Sequence, residues 1–287
     1  MRRYEYGRSR SELWITVYEN DNGSYTILTD KKYTEIISYF FSKSSETYKQ
    51  PIKWKDNETY SSLWLPKDYK SKKEIGECLK WFNGATQRIW LGLNKYIDSY
   101  FNKELDFCIA SDFNIIYGVG RTEIGEAEYK MKYRKDFITK EEADKYNSII
   151  MKSLIYNYDY LPIKNKNECY VTSMPAESST RNKLAWIFAN KVSNYLEIPL
   201  LVSKLDCIKP QMKELSIQDK INTWKEIYNN GSVKINYDIN GKTIIVIDDL
   251  YQSGVTMWQY ASFLKKMGAK KVFGNVCVKS LKDSDNV

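Results

Sequence analysis

The feature that most constrains this chain is an apolar strand that ends on two adjacent aspartates. Residues 242–272 read KTIIVIDDLYQSGVTMWQYASFLKKMGAKKV: an apolar run, then Asp248 and Asp249, then a loop of small polar residues and a helical pattern. An unbroken apolar run is typical of a strand that is buried on both faces of a parallel sheet. Burying charge is costly unless a partner compensates it. We therefore expect hydroxyl donors or a cation beside these carboxylates.

The second half of the chain repeats this strand-and-helix pattern. From Cys169 onward, apolar strands alternate with helices, which predicts an α/β domain with a parallel sheet and flanking helices. A polar stretch to about residue 233, in which no element is predicted, interrupts the order. The predicted strands are 105–110, 169–174, 198–204, 242–247 and 271–278.

Three helices are predicted in this half of the chain. The first follows the capping-box residues Thr139 and Glu142, and the last spans about 256–267 and ends at Gly268. The middle one has a single apolar face made of Leu184, Ile187, Phe188, Val192 and Tyr195.

The first third of the chain lacks this rhythm. We therefore place a domain boundary near residue 112, which separates an N-terminal α+β module (1–112) from a second domain (113–287). No role is assigned to the module. Its predicted elements are a β-hairpin over 12–30 with its turn at Asn20-Asp21-Asn22-Gly23, a short helix over 32–43, loops over 43–73, and a helical segment over 73–103 with Gly84 as a point of interruption.

Composition excludes several kinds of chemistry. The chain contains no histidine, which removes histidine-based triads and histidine metal sites. Its five cysteines are dispersed and form no CxxC pair, so neither a zinc ribbon nor a disulfide framework is predicted. Chemistry must rest on carboxylates, Lys and Arg, hydroxyls, backbone amides or an oxygen-bound metal. A formal charge of +8 fits phosphate-bearing ligands, nucleic acid or a solvated basic surface equally well.

Hydropathy indicates where the protein resides. No apolar segment approaches the length of a membrane span, and residues 1–14 contain no apolar signal-peptide core. We therefore expect a cytoplasmic protein without membrane contact.

The loop after the acid pair has the composition of a phosphate site. Gly254 lets the backbone approach a ligand closely, and Ser253 and Thr256 offer hydroxyl donors. Consecutive amide N–H groups that lead into a helix N-terminus bind anions. A ligand with a phosphate at one end and a diol nearby, such as ribose 5-phosphate, suits both the loop and the carboxylates.

Two other nucleotide-binding motifs match the sequence less well. A Walker B strand requires a GxxxxGK[ST] loop, and the nearest match, NYDINGKT, has Asn236 in place of the first glycine and leads into a strand. The GVGRTEIG segment lacks the spacing of a dinucleotide fingerprint. A solvated strand end remains the structural alternative for a bare Asp-Asp pair.

The segment IIVIDDLYQSGVT resembles the 5-phosphoribosyl 1-pyrophosphate (PRPP) motif of type I phosphoribosyltransferases. The resemblance implies that Asp248 and Asp249 are the catalytic pair that meets the ribose hydroxyls. It also implies that the following loop wraps the 5-phosphate, with contacts from Tyr251, Gln252, Ser253, Gly254, Val255 and Thr256.

More of the chain, over about residues 115–280, resembles the ComF branch of that family. GEAEYKMKYRKD (125–136) is similar to a Gly…Leu-Lys-Tyr-Arg-Gly-Asp segment of the branch, and KPQMKELSIQDKINTWKEIY (209–228) is similar to its Pro-Gln…Leu-Ser…Arg…Asn segment. ComF proteins usually begin with a four-cysteine zinc ribbon, which this chain lacks. Residues 1–112 stand in its place.

The resemblance also suggests the other half of the ligand site. The segment VTSMPAESSTRNKLAWIFANKV stands where the pyrophosphate loop is expected, which makes Ser173, Ser179 and Arg181 candidate pyrophosphate contacts. A flexible loop within 209–228, which carries Lys209, Lys213 and Lys220, would close over the site. Lys213 is the contributor we single out there.

The resemblance implies two candidate functions. The first is a phosphoribosyltransferase that binds PRPP or a nucleoside monophosphate and transfers phosphoribosyl to or from a nitrogenous base. Its Mg²⁺ would bind mainly through PRPP, with no direct metal ligand from the chain. The alternative is a non-catalytic PRPP- or nucleotide-sensing regulator that acts on a protein or nucleic-acid partner through residues 1–112.

Overall fold

A computed structural model describes residues 1–42, 52–67, 72–177, 183–208, 210, 212, 215–235 and 237–282 of the 287-residue chain. The chain divides into two compact units, Met1–Trp90 and Leu91–Val287. The division lies earlier than the expected boundary near residue 112. The strand Phe107–Phe113 is hydrogen-bonded into the sheet of the second unit, so a cut at residue 112 would fall inside that unit.

The first unit contains an antiparallel sheet. Strands β2 and β3 form the hairpin predicted over 12–30, which confirms that prediction. The prediction of loops over 43–73 is wrong for the two short strands β4 and β5, whose length of three and five residues gives little periodic signal. The strands are β1 (Arg2–Gly7), β2 (Trp14–Glu19), β3 (Tyr25–Thr29), β4 (Trp54–Asp56) and β5 (Ser61–Leu65), in the order β1-β2-β3-β5-β4.

Two helices accompany this sheet, α1 (Thr34–Phe40) and α2 (Lys72–Ala85). The helix predicted over 73–103 is wrong beyond Ala85. There the chain turns, and it continues as the short strand β6 (Ile89–Trp90). The indole of Trp90 donates to the carbonyl oxygen of Ala85 at 3.0 Å, so this apolar side chain packs back on the helix end instead of prolonging the helix.

The second unit is built on a parallel sheet, as the sequence predicts. Its central strands run in the order β10-β14-β15-β7, and each neighbouring pair is parallel. The strand predicted over 198–204 is shorter and shifted, because only residues 203–205 form a ladder. The strands are β7 (Phe107–Phe113), β8 (Ile115–Ile116), β9 (Gly120–Arg121), β10 (Cys169–Ser173), β11 (Ala176–Glu177), β12 (Ser203–Leu205), β13 (Val233–Ile235), β14 (Thr243–Tyr251) and β15 (Lys271–Lys279).

Helices flank this sheet. The capping box of Thr139 and Glu142 is present at the start of α4, and α7 ends ahead of Gly268, which has a φ of +96°. None of the helices in the described ranges is long and apolar enough to cross a lipid bilayer. The helices are α3 (Glu123–Tyr133), α4 (Lys140–Tyr158), α5 (Leu184–Leu196), α6 (Ile217–Asn229) and α7 (Val255–Lys266).

Helix α6 overturns one prediction. The flexible loop expected over 209–228 is wrong for its second part, because residues from Ile217 onward are helical. The side chain of Ser216 accepts the N–H of Asp219 and caps the helix, while Ile221 and Trp224 are buried. The buried stripe is narrow and stands among polar residues, which explains why the apolar pattern was too weak to predict the helix.

Gly274 on β15 lies directly opposite Cys108 on β7. A Cβ atom on Gly274 would come within 3.1 Å of the Cβ of Cys108 and closer still to its sulfur. We expect Gly274→Ala to lower the free energy of unfolding by about 1–3 kcal/mol, because both positions are buried and rotation of the Cys108 side chain does not move its Cβ atom. Urea denaturation measures the loss. Cys108→Ala should restore part of it in the double variant; additive losses would contradict the contact.

Candidate functional site

The strand end that carries the two aspartates opens onto a cavity of about 700 Å³ within the second unit. Its walls come from β10 and β14, from the segments that follow them, and from helices α3, α5, α6 and α7. Most of the residues predicted for the ligand site lie on these walls, and Val255 is the described exception. The predicted residues that line the cavity are Ser173, Asp248, Asp249, Tyr251, Gln252, Ser253, Gly254 and Thr256.

The acid pair is held in place from two sides. The N–H of Asp249 donates to Oδ1 of Asp248 at 3.0 Å. The ammonium of Lys132, on helix α3, lies 2.9 Å from Oδ2 of Asp249. Lys132 is therefore a compensating partner for a charge at the end of an apolar strand, and it was not singled out from the sequence.

A second carboxylate holds Lys132 from its own helix. Glu128 lies one turn earlier on α3 and is 4% exposed, and its Oε1 is 3.4 Å from the ammonium. Burial raises the pKa of the Glu128 carboxyl, an effect that Lys132 opposes and Asp249 reinforces. Burial lowers the pKa of Lys132, but attraction to Asp249 and Glu128 outweighs it, so the pKa lies above its usual range. Lys132 thus remains a cation at neutral pH.

We call residues 252–254, which follow strand β14, the phosphate-type loop. Gly254 has a φ of +88°, in the left-handed region, and is the N-cap residue of helix α7. The helix has no side-chain cap, and the first N–H groups of a helix lack partners within it. This end of the cavity therefore combines backbone donors with the positive end of a helix dipole, which favours an anion.

Tyr251 supports this loop from inside the protein. Its side chain is 3% exposed, and its hydroxyl accepts the indole N–H of Trp258 at 3.1 Å. A Cβ on Gly254 would come within 2.5 Å of the ring carbon Cζ of Tyr251. The resemblance makes Tyr251 a phosphate contact, which stays a prediction; in the structure Tyr251 lines the cavity and its ring lies against Gly254.

Two further side chains hold the loop carbonyls. Asn94 Nδ2 donates to the carbonyl oxygen of Ser253 at 2.9 Å, and Lys279 Nζ donates to that of Gln252 at 3.1 Å. Lys279 is buried, as is Ser253 itself. With its carbonyls engaged by protein donors, the loop has a defined shape before any ligand arrives.

The predicted pyrophosphate side is only partly described. Ser173, at the end of β10, lines the cavity, and its hydroxyl donates to the carbonyl oxygen of Met174 at 3.3 Å. Ser179, Arg181 and Lys213 lie outside the described residues, so their roles stay predictions.

Sequence reasoning missed several cations and aromatic side chains of the cavity. Lys220 and Trp224 lie one turn apart on α6 and are both buried. The available signal was their i, i+4 spacing, which only identifies a shared face once the helix is recognised. For Lys132 the sequence offers no local signal, because its partner Asp249 lies more than a hundred positions further along the chain. The residues missed are Lys132, Lys135, Lys183, Trp186 and Trp224, whereas Lys220 was expected only as part of a flexible loop.

If a magnesium ion binds at this cavity, Asp248 and Asp249 are the residues that would hold it. Within the described ranges, no cluster of three or more His, Cys, Asp or Glu side chains is arranged to hold a metal ion. Asp248 and Asp249 offer the oxygen atoms that Mg²⁺ prefers, but one oxygen of Asp249 is paired with Lys132. Ligand phosphates and water would have to supply most of the coordination.

None of the five cysteines lines the cavity. All five lie in the described ranges and form no disulfide, and Cys277, on the strand next to Asp249, is fully buried. Burial raises the pKa of its thiol well above the usual value, and the charges of Asp249 and Glu128 add to the effect. Its thiol is therefore protonated and unreactive.

Comparisons with known proteins give local and distant similarities. No protein-family model matches the chain. Over 39 residues the chain is 38% identical to a ribose-phosphate pyrophosphokinase from Pyrococcus abyssi, a match that spans 14% of each protein. A hypoxanthine phosphoribosyltransferase from Staphylococcus aureus is similar in structure, with 11% identity, a TM-score of 0.30, and coverage of 48% of this chain and 66% of that one. A purine phosphoribosyltransferase from Pyrococcus horikoshii has 18% identity, a TM-score of 0.29, and coverage of 47% and 81%.

Proposed function

We propose that the cavity binds PRPP or a nucleoside monophosphate and that the protein transfers a phosphoribosyl group to or from a nitrogenous base. The observation that carries this proposal is the adjacency of Asp248 and Asp249 to a loop with Gly254 at its left-handed position and a helix N-terminus behind it. A sugar phosphate needs acceptors for its hydroxyls and donors for its phosphate. Both occur here within one continuous segment.

The cavity suits such a ligand in size and in lining. Its volume of about 700 Å³ lies within the range of roughly 300–1,000 Å³ that is typical of small-molecule sites. Lys135, Lys183 and Lys220 add positive charge to walls that also carry apolar side chains such as Trp186 and Met212. The local match to a ribose-phosphate pyrophosphokinase supports a ligand that contains ribose phosphate.

The proposed reaction breaks the bond between C1 of the ribose and the pyrophosphate oxygen, and forms a bond between C1 and a base nitrogen. Positive charge develops on the ribose ring as the old bond breaks. Asp248 and Asp249 hold the ribose hydroxyls and place negative charge near that ring. The lysines of the cavity offset the charge of the phosphates. When bound with the ligand, Mg²⁺ supplies further positive charge to the departing pyrophosphate.

Positioning accounts for most of the proposed rate enhancement. A loop whose carbonyls are already bonded to Asn94 and Lys279 does not need to be ordered by the ligand. Holding the ribose and the base in line removes much of the entropic cost of their encounter. A chain without histidine is suited to a reaction that demands orientation and charge more than proton transfer.

Calorimetry with PRPP tests the binding half of this proposal. Asp249→Asn removes the charge of a ribose-binding carboxylate, and we expect a loss of about 1.5–3 kcal/mol in binding free energy. Asp206→Asn is the matched control, because Asp206 is also ion-paired, with Lys234 at 2.7 Å, but does not line the cavity. Equal affinity for wild type and Asp249→Asn would remove the basis of the assignment.

Pyrophosphate release from PRPP across a panel of bases tests catalysis. Wild type should release pyrophosphate with at least one base, and Asp249→Asn should do so far more slowly. A protein that binds PRPP yet turns over no base would instead be the non-catalytic sensor. A partner of the Met1–Trp90 unit would then be sought by pull-down with and without PRPP.

A further inference from the structure

The cavity contains a cation that belongs to the chain itself. The ammonium of Lys132 is 2.9 Å from Asp249 and 3.4 Å from Glu128, and its side chain is 25% exposed. Lys132 also lines the cavity. It therefore stands between a buried carboxylate of its own helix and the carboxylate that faces the ligand space.

The backbone brings Lys132 to this place with little freedom. Helix α3 starts at the N-cap residue Thr122, whose hydroxyl accepts the N–H of Gly125 at 3.0 Å and donates to the carbonyl oxygen of Phe113 at 2.6 Å. Phe113 ends strand β7 of the same sheet that contains the acid pair. The first turn of the helix is thus tied to the sheet, and Glu128 and Lys132 follow one and two turns later. The helix packs on β15 and β7, and the ammonium of Lys132 reaches Asp249 on β14.

Charge at this point matters for a phosphate-bearing ligand. Two adjacent carboxylates repel an anion, and the usual remedy is a divalent cation that comes with the ligand. Lys132 brings one positive charge to the carboxyl groups of Asp248, Asp249 and Glu128 before the ligand arrives. It also engages one oxygen of Asp249, which leaves the orientation of the carboxylate defined and the other oxygen to accept a ribose hydroxyl.

We propose that Lys132 is a positioning residue that takes the place of a divalent cation at the acid pair, so that ribose 5-phosphate groups bind here without Mg²⁺. The inference rests on the proposed function. Glu128 holds Lys132 from the helix side and keeps its ammonium at the edge of the cavity. The pyrophosphate part of PRPP retains its need for Mg²⁺, because Lys132 is paired with Asp249 and cannot serve both groups fully.

Titration of ribose 5-phosphate by calorimetry, once with EDTA and once with Mg²⁺, tests the proposal. Wild type should bind with the same affinity in both buffers. Lys132→Met should bind about tenfold to a hundredfold more weakly in EDTA, because a charged hydrogen-bond partner of Asp249 is lost. Mg²⁺ should restore most of that affinity, since the exposed carboxylates can then hold the ion. Lys132→Arg should resemble wild type in both buffers.

Lys130→Met is the matched control. Lys130 lies on the same helix and pairs with Glu126 at 3.6 Å, but it does not line the cavity. It should bind ribose 5-phosphate as wild type does. Should Lys132→Met fail to fold by circular dichroism, Lys132→Gln replaces it, because glutamine is polar at this half-buried position but carries no charge.

The outcomes separate this inference from the proposed function. Wild type that binds ribose 5-phosphate only with Mg²⁺ overturns the role of Lys132 and leaves the proposed function intact. The inference is overturned if Lys132→Met loses the same affinity for ribose 5-phosphate in both buffers, or loses none. Lys132 would then only connect helix α3 to the sheet. Wild type that binds neither ribose 5-phosphate nor PRPP in either buffer overturns the proposed function.

Discussion

Replacing Gly254 with alanine is expected to lower the free energy of unfolding by about 3 kcal/mol, because the loop after β14 has no room for a Cβ atom. A left-handed φ of +88° costs a non-glycine residue roughly 1–2 kcal/mol. The contact with the ring of Tyr251 adds an overpacking cost of about 1–3 kcal/mol. The bulkier Gly254→Val should lose still more stability, because its side chain would press harder on the ring of Tyr251.

A substitution at Gly231 measures the cost of backbone strain without the cost of overpacking. Gly231 also has a positive φ, of +74°, but a Cβ there would meet nothing within 4 Å. Gly231→Ala should therefore lose only about 1 kcal/mol in urea denaturation, from backbone strain alone. If Gly254→Ala and Gly231→Ala lose the same amount, Tyr251 does not pack against the loop as the structure describes.

Gly125→Ala is expected to lower the free energy of unfolding by about 3 kcal/mol, near the upper end for overpacking. A Cβ on Gly125 would lie 2.8 Å from the carbonyl carbon of Asn114 and 2.9 Å from its Cα. The obstacle is backbone, which cannot rotate away as a side chain can. Helix α3 would have to shift outward and would carry Lys132 away from Asp249.

The measurement for Gly125→Ala is again urea denaturation, with ligand affinity as a second readout. Gly76, in helix α2 of the first unit, is the control, because a Cβ there would meet nothing within 4 Å. Gly76→Ala should raise stability by roughly 0.5–1 kcal/mol, through helix propensity. A stable Gly125→Ala protein with normal affinity would show that α3 does not approach the sheet this closely.

The centre of the candidate site could be predicted from the sequence because it is one continuous segment. Asp248, the loop glycine Gly254 and the helix start follow one another within a few residues, and each has a local backbone reason for its place. Lys132 could not be found in the same way. It reaches Asp249 only because α3 packs on the sheet, a contact between residues more than a hundred positions apart.

The errors in the fold have related causes. The spacing of Ile89 and Ile97 continues a helical pattern past Ala85. In the structure both side chains are buried, but Ile89 lies in the short strand β6 and Ile97 lies in a turn. Helix α6 was missed for the opposite reason, since its buried stripe is narrow in a polar stretch. The spacing of apolar residues indicates which side chains are buried. Different backbone conformations can bury the same side chains, so the spacing alone does not determine the secondary structure.

Because side chains from elsewhere in the protein support the phosphate-type loop, the segment that forms it is not sufficient to build the same site in another protein. Asn94, Trp258 and Lys279 reach the loop or its tyrosine from three separate segments, and none of them belongs to the strand and turn that look like the motif. Grafting residues 243–256 onto a parallel strand of another protein would transfer the sequence without these contacts. The grafted segment should form a flexible turn with weak anion affinity, and its affinity should rise only when residues equivalent to the supporting side chains are introduced around it.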